Sequence, residues 1–105
     1  MSEKQPCIYI MASKRNGTLY TGVTSDLERR IEEHKSGTTD GFTKRYKVQQ
    51  LVYFEEYEDM YNAIEREKQL KGGSRKQKLK LIEEFNPEWV DLYDANTGLL
   101  RITSQ

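Results

Sequence analysis

The chain has 105 residues, of which 35% are hydrophobic and 32% are charged, and its 17 basic and 17 acidic side chains give a formal net charge of zero. This length allows one domain with a small core. Zero net charge excludes a polycation that binds nucleic acid through its overall charge, so such a role requires local segregation of charge. Residues 68–80 supply it, because this segment is basic and contains no acidic residue.

The cysteine content and the apolar runs bear on the compartment. Cys7 is the single cysteine and cannot form an internal disulfide, which suits a reducing compartment. Residues 1–6 lack the apolar core of a signal peptide, and no apolar run approaches membrane-spanning length. We therefore expect a cytoplasmic protein with no membrane partner, and the sequence leaves its oligomeric state open. We expect one domain over residues 1–105, with a core at about 7–92 and a poorly ordered tail at 93–105.

The first two predicted elements are strands joined by a tight turn. Residues 8–11 alternate with the period of two that is typical of a strand. Asn16-Gly17 is a strong signal for a hairpin turn, and it precedes a second predicted strand at 18–21, which we expect Gly22 to end.

Three helices and a third strand follow. Ser25 and Glu28 form a capping-box pattern, which predicts a helix that runs to about residue 34 and stops at 36–37. The later expectations, in chain order, are a loop at 37–47, a strand at 50–57, a helix from residue 58 or 59 to 72, and a helix from Ser74 to the Asn86-Pro87 pair.

The inward face of the first predicted helix carries two polar side chains. Leu27 and Ile31 have the spacing of an apolar helix face, and Arg30 and His34 fall on that same face. Arg30 can be an ion-paired arginine at the edge of the face, and His34 can be a satisfied, partly buried histidine. The functional alternative is a site for a negatively charged substrate.

Glu67 repeats this pattern with the opposite charge, on the face of the next helix that also carries Met60, Ala63 and Leu70. A buried carboxylate is costly unless it is paired or binds a metal. One alternative is a structural salt bridge between Glu67 and Arg30. The other is a site for a Mg²⁺ ion that keeps most of its waters.

Two tyrosines complete the candidate site. Tyr9 and Tyr20 lie on neighbouring predicted strands and can present their hydroxyl groups on one side of the sheet. The planar guanidinium of Arg30 suits phosphate oxygens, and one inward carboxylate suits a Mg²⁺ ion that substrate phosphate completes. No zinc-type cluster of Cys and His and no glycine-rich phosphate loop is present in the sequence. The pattern therefore favours chemistry on a phosphate substrate.

With these motifs the sequence resembles the GIY-YIG nuclease superfamily, in particular its small stand-alone members related to the nuclease domain of the bacterial excision-repair subunit. The matching positions are Cys7-Ile8-Tyr9 and Tyr20-Thr21-Gly22 for the two signatures, Arg30 and His34 on the helix, Ala63, Glu67 and Leu70 around the metal-binding glutamate, and Asn86 at the end of the site region. The resemblance covers residues 8–92. It implies an α+β fold with a three-stranded antiparallel sheet flanked by helices, in the order β-β-α-β-α-α, and it makes Gly22 and Asn86 structural residues near the site.

The resemblance also implies an activity, that of a Mg²⁺-dependent DNA endonuclease or nickase with a use in DNA repair or recombination. Tyr9 or Tyr20 would activate a water with help from His34, and Arg30 would stabilise the charge that develops on the phosphate. Glu67 would hold the metal, Mg²⁺, for which Mn²⁺ can substitute. No small-molecule cofactor is expected, and the partner is DNA.

Two positions depart from the family pattern. Cys7 replaces the usual glycine of the first signature, which we expect to change strand packing only. Val23 stands where some members carry a lysine, so any role of that lysine in charge or proton handling is absent here.

The alternative function is a nucleic-acid-binding module with little or no catalysis, in which Arg30 and Glu67 are a structural pair. In either case one set of side chains is expected to contact the nucleic acid: Lys44, Arg45, Tyr46, Lys71, Arg75, Lys76 and Lys78, with Lys80 beside them. A third and weaker alternative is a protein-interaction domain that uses the segment 89–100.

Overall fold

The computed structural model describes residues 5–37, 41–94, 97 and 99–100. Its elements are the strands β1 (Cys7–Ala12), β2 (Leu19–Thr24), β3 (Gln50–Glu56), β4 (Tyr93–Asp94) and β5 (Leu99–Leu100), and the helices α1 (Leu27–Ser36), α2 (Gly41–Arg45), α3 (Met60–Gly72) and α4 (Arg75–Phe85). The predicted α+β fold and the order β-β-α-β-α-α are confirmed, and α2, β4 and β5 are added to it.

The three long strands form an antiparallel sheet in the order β2-β1-β3. All six residues of β1 are buried, because helices cover both faces of this central strand. On one face Tyr9 and Met11 pack with Leu27 and Ile31 of α1. On the other face the side chains of β1 pack with α3 and α4, in a cluster that contains Ile8, Ile10, Ala12, Ala63, Leu70 and Ile82. The edge strand β2 borders both layers.

Helix α3 is attached to β3 by a two-pronged ion pair. The Nε of Arg66 donates to Glu55 Oε1 at 3.0 Å and its Nη2 donates to Oε2 at 3.1 Å. The hydroxyl of Tyr57 adds a 2.7 Å hydrogen bond to the same carboxylate. Bidentate pairs of this kind fix orientation as well as distance, so α3 has a defined position beside the sheet.

The helix boundaries follow the predicted caps with one correction. Asp59 and Ser74 cap α3 and α4, and Gly37 ends α1 with a left-handed φ of 78°. For α1 the predicted cap at Ser25 is wrong by one residue, because the carboxylate of Asp26 accepts from the N–H of Arg29 at 3.4 Å. Both residue types can cap a helix, and the backbone decides which of them precedes the first helical turn.

Gly22 does not end the second strand, as the sequence analysis expected. β2 continues to Thr24, and Gly22 lies inside it, directly opposite Tyr9. A Cβ atom at Gly22 would lie 2.5 Å from both the Cζ atom and the hydroxyl oxygen of Tyr9. The glycine is therefore needed so that the ring of Tyr9 can lie across β2.

Two segments expected to lack regular structure contain some. The predicted loop at 37–47 contains α2, whose Thr43 is buried; residues 38–40 lie outside the described part of the chain. In the tail at 93–105, β4 pairs with β5, and the expected poor order of this tail stays a prediction. The rest of that tail, apart from residue 97, lies outside the described residues.

We expect the substitution Gly22→Ala to destabilise the protein by about 1–3 kcal/mol, because an added methyl group overpacks the space filled by Tyr9. Urea denaturation monitored by circular dichroism measures this change. Gly72→Ala is the matched control, since nothing lies within 4 Å of a Cβ atom there, and it should leave the stability unchanged or slightly higher. Equal stability of the two variants would show that the close approach of Tyr9 is unimportant.

Candidate active site

Four of the five predicted catalytic residues meet on the face of the sheet that α1 covers. Arg30 Nε donates to the hydroxyl oxygen of Tyr9 at 3.3 Å, and that oxygen lies 3.1 Å from Nε2 of His34. The ring of Tyr20 lies edge-on to His34, with centroids 5.2 Å apart, and 6.3 Å from the ring of Tyr9. The structure therefore brings Tyr9, Tyr20, Arg30 and His34 into one cluster of contacts.

The positions of these residues follow from local structure. Arg30 and His34 are one helical turn apart on α1, so both side chains reach the sheet beneath it. Tyr9 and Gly22 are a cross-strand pair, and Tyr20 follows two residues earlier on the same side of β2. His34 is 2% exposed and has hydrogen-bond partners, as the structural alternative expects, and it lies inside the cluster. Its functional role stays a prediction.

Arg30 is held from two sides and still reaches solvent. Its Nη1 donates to Glu33 Oε1 at 3.1 Å while its Nε is bonded to Tyr9. The side chain is 34% exposed. Hydrogen bonding to Tyr9 is the main cause that raises the pKa of Arg30, so it is a fixed cation at the edge of the cluster.

Tyr9 is the buried member of the cluster, with 1% of its surface exposed. Burial raises the pKa of Tyr9 to about 12, and this outweighs the opposite effect of the hydrogen bond and charge of Arg30. At neutral pH Tyr9 is therefore an uncharged phenol, a poor proton acceptor for a water molecule.

We expect the raised pKa of Tyr9 to appear as a loss of stability in alkali. The folded state favours the neutral phenol. The contribution of Tyr9 to the free energy of unfolding is therefore complete below pH 10 and is lost as the pH rises from about 10 to 12. The slope is roughly 1.4 kcal/mol per pH unit. Urea denaturation between pH 9 and about 11 should therefore show a shallower loss in Tyr9→Phe than in the parent protein, and parallel curves would contradict the assignment.

Glu67 lies outside this cluster of contacts. It is on α3, which packs against β2 and β1, and its carboxylate, 15% exposed, accepts from Lys71 Nζ at 2.8 Å. The structural salt bridge between Glu67 and Arg30, one of the two alternatives for Glu67, is not formed, since Arg30 pairs with Glu33 and Glu67 with Lys71. No group of three or more His, Cys, Asp or Glu side chains suited to a metal occurs among the described residues, so a metal at Glu67 would draw most of its ligands from water and substrate phosphate.

A groove of about 550 Å³ runs beside Tyr20 along the edge strand. We call it the β2 groove, and its lining residues are Thr18, Leu19, Tyr20, Thr21, Lys71, Arg75 and Lys78. Three cations from α3 and α4 thus lie in the same groove as Tyr20. Glu67 is not in this lining, but its partner Lys71 is.

The structure divides the seven residues expected to contact nucleic acid. Lys71, Arg75 and Lys78 line the β2 groove, whereas Lys76 is exposed on α4 outside that lining. Arg75 also has a structural role, because its Nη2 donates to the backbone oxygens of Asn16 and Gly17 at 2.8 and 2.6 Å and fixes the hairpin turn.

The remaining three residues of that set, Lys44, Arg45 and Tyr46, are exposed at and just after α2. The guanidinium of Arg45 lies 5.7 Å from the centre of the Tyr46 ring. They form a separate basic surface, on the part of the chain that also supplies Thr43.

Asn86, expected near the site, has a structural role in the described contacts. It is buried, and its Nδ2 donates to the backbone oxygens of Val52 and Val90 at 3.2 and 2.8 Å. Its Oδ1 accepts from the N–H of Val90 at 3.2 Å. The side chain therefore joins β3 to the turn after α4 and touches none of the four clustered residues.

The two departures from the family pattern are packing residues. Cys7 is buried on the α1 face, and burial raises the pKa of its thiol to about 12, which makes it unreactive. Val23 packs against the opposite cluster, on the side of α3 and α4.

Two contacts of the cluster were not predicted from the sequence. One is the ion pair of Arg30 with Glu33, although their spacing of three on a helix is a signal for such a pair. Thr43 Oγ1 lies 3.3 Å from His34 Nδ1, and no local pattern could have shown this because α2 folds back onto α1.

Comparison with known proteins agrees with this arrangement of strands and side chains. Residues 5–80 match the GIY-YIG catalytic domain. The chain therefore belongs to the GIY-YIG family, and this domain implies a nuclease with a nucleic-acid substrate. No helix within the described ranges is long and apolar enough to cross a membrane.

The similar proteins are small, and nearly the whole length of each aligns with this chain. A UPF0213 protein of Staphylococcus saprophyticus is 44% identical, and one of Staphylococcus haemolyticus is 43% identical, each over 77 residues that cover 73% of this chain and 93% of the relative. The solution NMR structure of a UPF0213 protein from Bacillus halodurans has a TM-score of 0.52 and 28% identity, and covers 83% of this chain and 92% of that one. These names state no activity.

Proposed function

We propose that this protein is a Mg²⁺-dependent DNA endonuclease or nickase that hydrolyses phosphodiester bonds, with Mn²⁺ as a substitute metal. One observation supports this more than any other. A partly exposed arginine is fixed by Tyr9 and Glu33 at the edge of a buried cluster, and Tyr20 of the same cluster lines a groove together with three cations. A cytoplasmic location and a use in DNA repair or recombination remain predictions.

In this proposal Arg30 stabilises the transition state. Its planar guanidinium suits the non-bridging oxygens of a phosphate, and its position is set before substrate arrives by hydrogen bonds through Nε and Nη1. Because the donor is already oriented, little reorganisation is needed when charge develops on the phosphate.

The two tyrosines take different roles. Tyr20 is half-buried and lines the β2 groove, so we assign to it the contact with the attacking water. Tyr9 is buried and holds a raised pKa, so we assign to it the orientation of Arg30. His34 is also buried and acts on the site through Tyr9.

Glu67 is the residue we propose for the metal. When bound, a divalent ion polarises the phosphate and stabilises the leaving oxygen. A single carboxylate suits a hard cation that keeps most of its waters, and the ammonium of Lys71, 2.8 Å away, already shows that this carboxylate attracts a cation. Any metal at Glu67 has to replace or share that ion pair.

One observation favours a second candidate function, a nucleic-acid-binding module with little catalysis. The Glu67–Lys71 pair neutralises the one carboxylate that would bind metal. In that case the basic groove would hold a nucleic-acid backbone without cleaving it. Measurements of cleavage and metal binding separate the two.

We expect Glu67→Gln to reduce nicking of supercoiled plasmid in Mg²⁺ to background while the fold survives, because the amide keeps the shape and loses the charge. Binding of Mn²⁺, followed by electron paramagnetic resonance, should weaken in parallel. Wild-type cleavage that persists in excess EDTA would contradict the metal mechanism.

Lys71→Met provides the opposite test of the same carboxylate. It removes the competing ammonium and keeps most of the aliphatic stem, so Mn²⁺ should bind Glu67 more tightly than in the parent protein. Lys68→Met is the matched control on α3, since Lys68 pairs with Glu65 at 3.6 Å and not with Glu67.

A further pair of variants separates catalysis from binding. Arg30→Lys keeps one charge and loses the planar donor set, so turnover should fall far more than DNA affinity. Lys78→Ala should weaken binding and reduce the log–log salt slope by roughly one unit. Lys76→Ala, outside the groove lining, should change that slope less. If Arg30→Lys shifts the slope and leaves single-turnover cleavage intact, Arg30 is a binding residue.

A further inference from the structure

A chain of hydrogen bonds continues beyond the cluster to α2. It runs from Arg30 Nε to the Tyr9 hydroxyl at 3.3 Å, from there to His34 Nε2 at 3.1 Å, and from His34 Nδ1 to Thr43 Oγ1 at 3.3 Å. Thr43 is 1% exposed and no role has been assigned to it so far. Its neighbours on α2, Lys44 and Arg45, are exposed.

The direction of the first two hydrogen bonds follows from the chemistry of their donors. An arginine Nε can only donate, so the oxygen of Tyr9 accepts from Arg30. The phenol proton of Tyr9 then points to its other hydrogen-bond partner in the described structure, which is His34 Nε2. A ring nitrogen that accepts carries no proton.

The tautomer of His34 is thereby defined. In the neutral imidazole one nitrogen donates and the other accepts, so an accepting Nε2 places the proton on Nδ1. That N–H faces Thr43 Oγ1, and a hydroxyl oxygen can accept it. Loss of an acceptor from a buried N–H is costly.

We propose that Thr43 is a positioning residue of this site. Its hydroxyl accepts from His34 Nδ1–H and holds the imidazole in the tautomer whose Nε2 accepts from Tyr9, and Tyr9 in turn orients Arg30. The burial of Thr43 supports this, because a buried hydroxyl is costly unless it is bonded. The backbone of Thr43 is fixed as well, since its carbonyl accepts from the N–H of Val48 at 2.9 Å.

The single histidine of the chain makes the tautomer directly measurable. Long-range ¹H–¹⁵N correlation at about pH 8, above the ordinary histidine pKa of roughly 6.5, distinguishes a protonated ring nitrogen from a bare one. We expect the parent protein to show Nδ1 protonated and Nε2 bare. The Tyr9 and Tyr20 rings contact this ring, and Arg30 is bonded to Tyr9, so none of these three residues is changed in this test.

Thr43→Val removes the hydroxyl and keeps the branched shape. We expect the His34 signals to move toward the Nε2-protonated form or an average of the two, and we expect Thr43→Ser to restore the parent pattern. If the valine variant does not fold, Thr43→Ala gives the same comparison with serine. A parent protein with Nε2 protonated, or a folded Val or Ala variant with unchanged ¹⁵N signals, would overturn the proposal.

The effect on cleavage rests on the proposed nuclease function. There, Thr43→Val should lower kcat by about tenfold or more, the scale on which residues that orient functional histidines act, with little change in KM. A parent protein that binds DNA but never cleaves it would remove the nuclease function and leave the ¹⁵N result standing. An unchanged kcat in a variant with the altered tautomer would restrict Thr43 to stability.

Discussion

The hydroxyl group of Tyr9 is the interaction on which the rest of the site depends. It is a buried oxygen with one proton, and it lies between a permanent donor, Arg30, and a ring nitrogen of His34. Because Tyr9 and His34 are buried, a polar group of either that lost its hydrogen-bond partner would be costly. The opposite strand has to leave room for the ring, which explains why Gly22 lies in the middle of β2.

The cluster and the β2 groove both adjoin the edge strand β2. α1 covers one face of β1, while α3 and α4 cover the other, and β2 is the open edge between them. Tyr20 belongs to both regions, since its ring contacts His34 and its side chain lines the groove. An extended polyanion in the groove would therefore pass the cations of α3 and α4 on one side and reach Tyr20 on the other.

Much of the fold could be predicted because its signals are local. Caps at Asp59 and Ser74, the stop at Gly37 and the 3.6-residue spacing of Leu27, Ile31 and His34 depend on residues within one or two turns. The position of Gly22 could not be predicted in the same way, because a glycine in a strand pattern indicates either an end or a close approach by a distant ring. Only the cross-strand pairing with Tyr9 decides between these.

In the candidate site, too, some positions follow from residues near in the chain and others depend on distant elements. Tyr9, Tyr20, Arg30 and His34 meet because two strands and one helix, adjacent in the chain, carry all of them. Glu67 lies on α3 and pairs with Lys71, not with Arg30. This pairing follows from local spacing, because residues four apart on a helix are neighbours on its surface.

That ion pair gives Lys71 two possible partners. Its ammonium group neutralises Glu67 in the structure, and its side chain also lines the groove beside Tyr20. A phosphate in the groove would compete with Glu67 for the lysine, whereas a divalent cation would compete with the lysine for Glu67. Either binding event breaks the ion pair between Lys71 and Glu67. Once a phosphate has drawn Lys71 away, Glu67 is available to a cation, and once a cation has bound Glu67, Lys71 is available to a phosphate. Each would therefore make binding of the other more favourable. Linkage requires this coupling to be reciprocal, so binding of a phosphate in the groove would be coupled to binding of a cation at Glu67, the residue proposed for the metal.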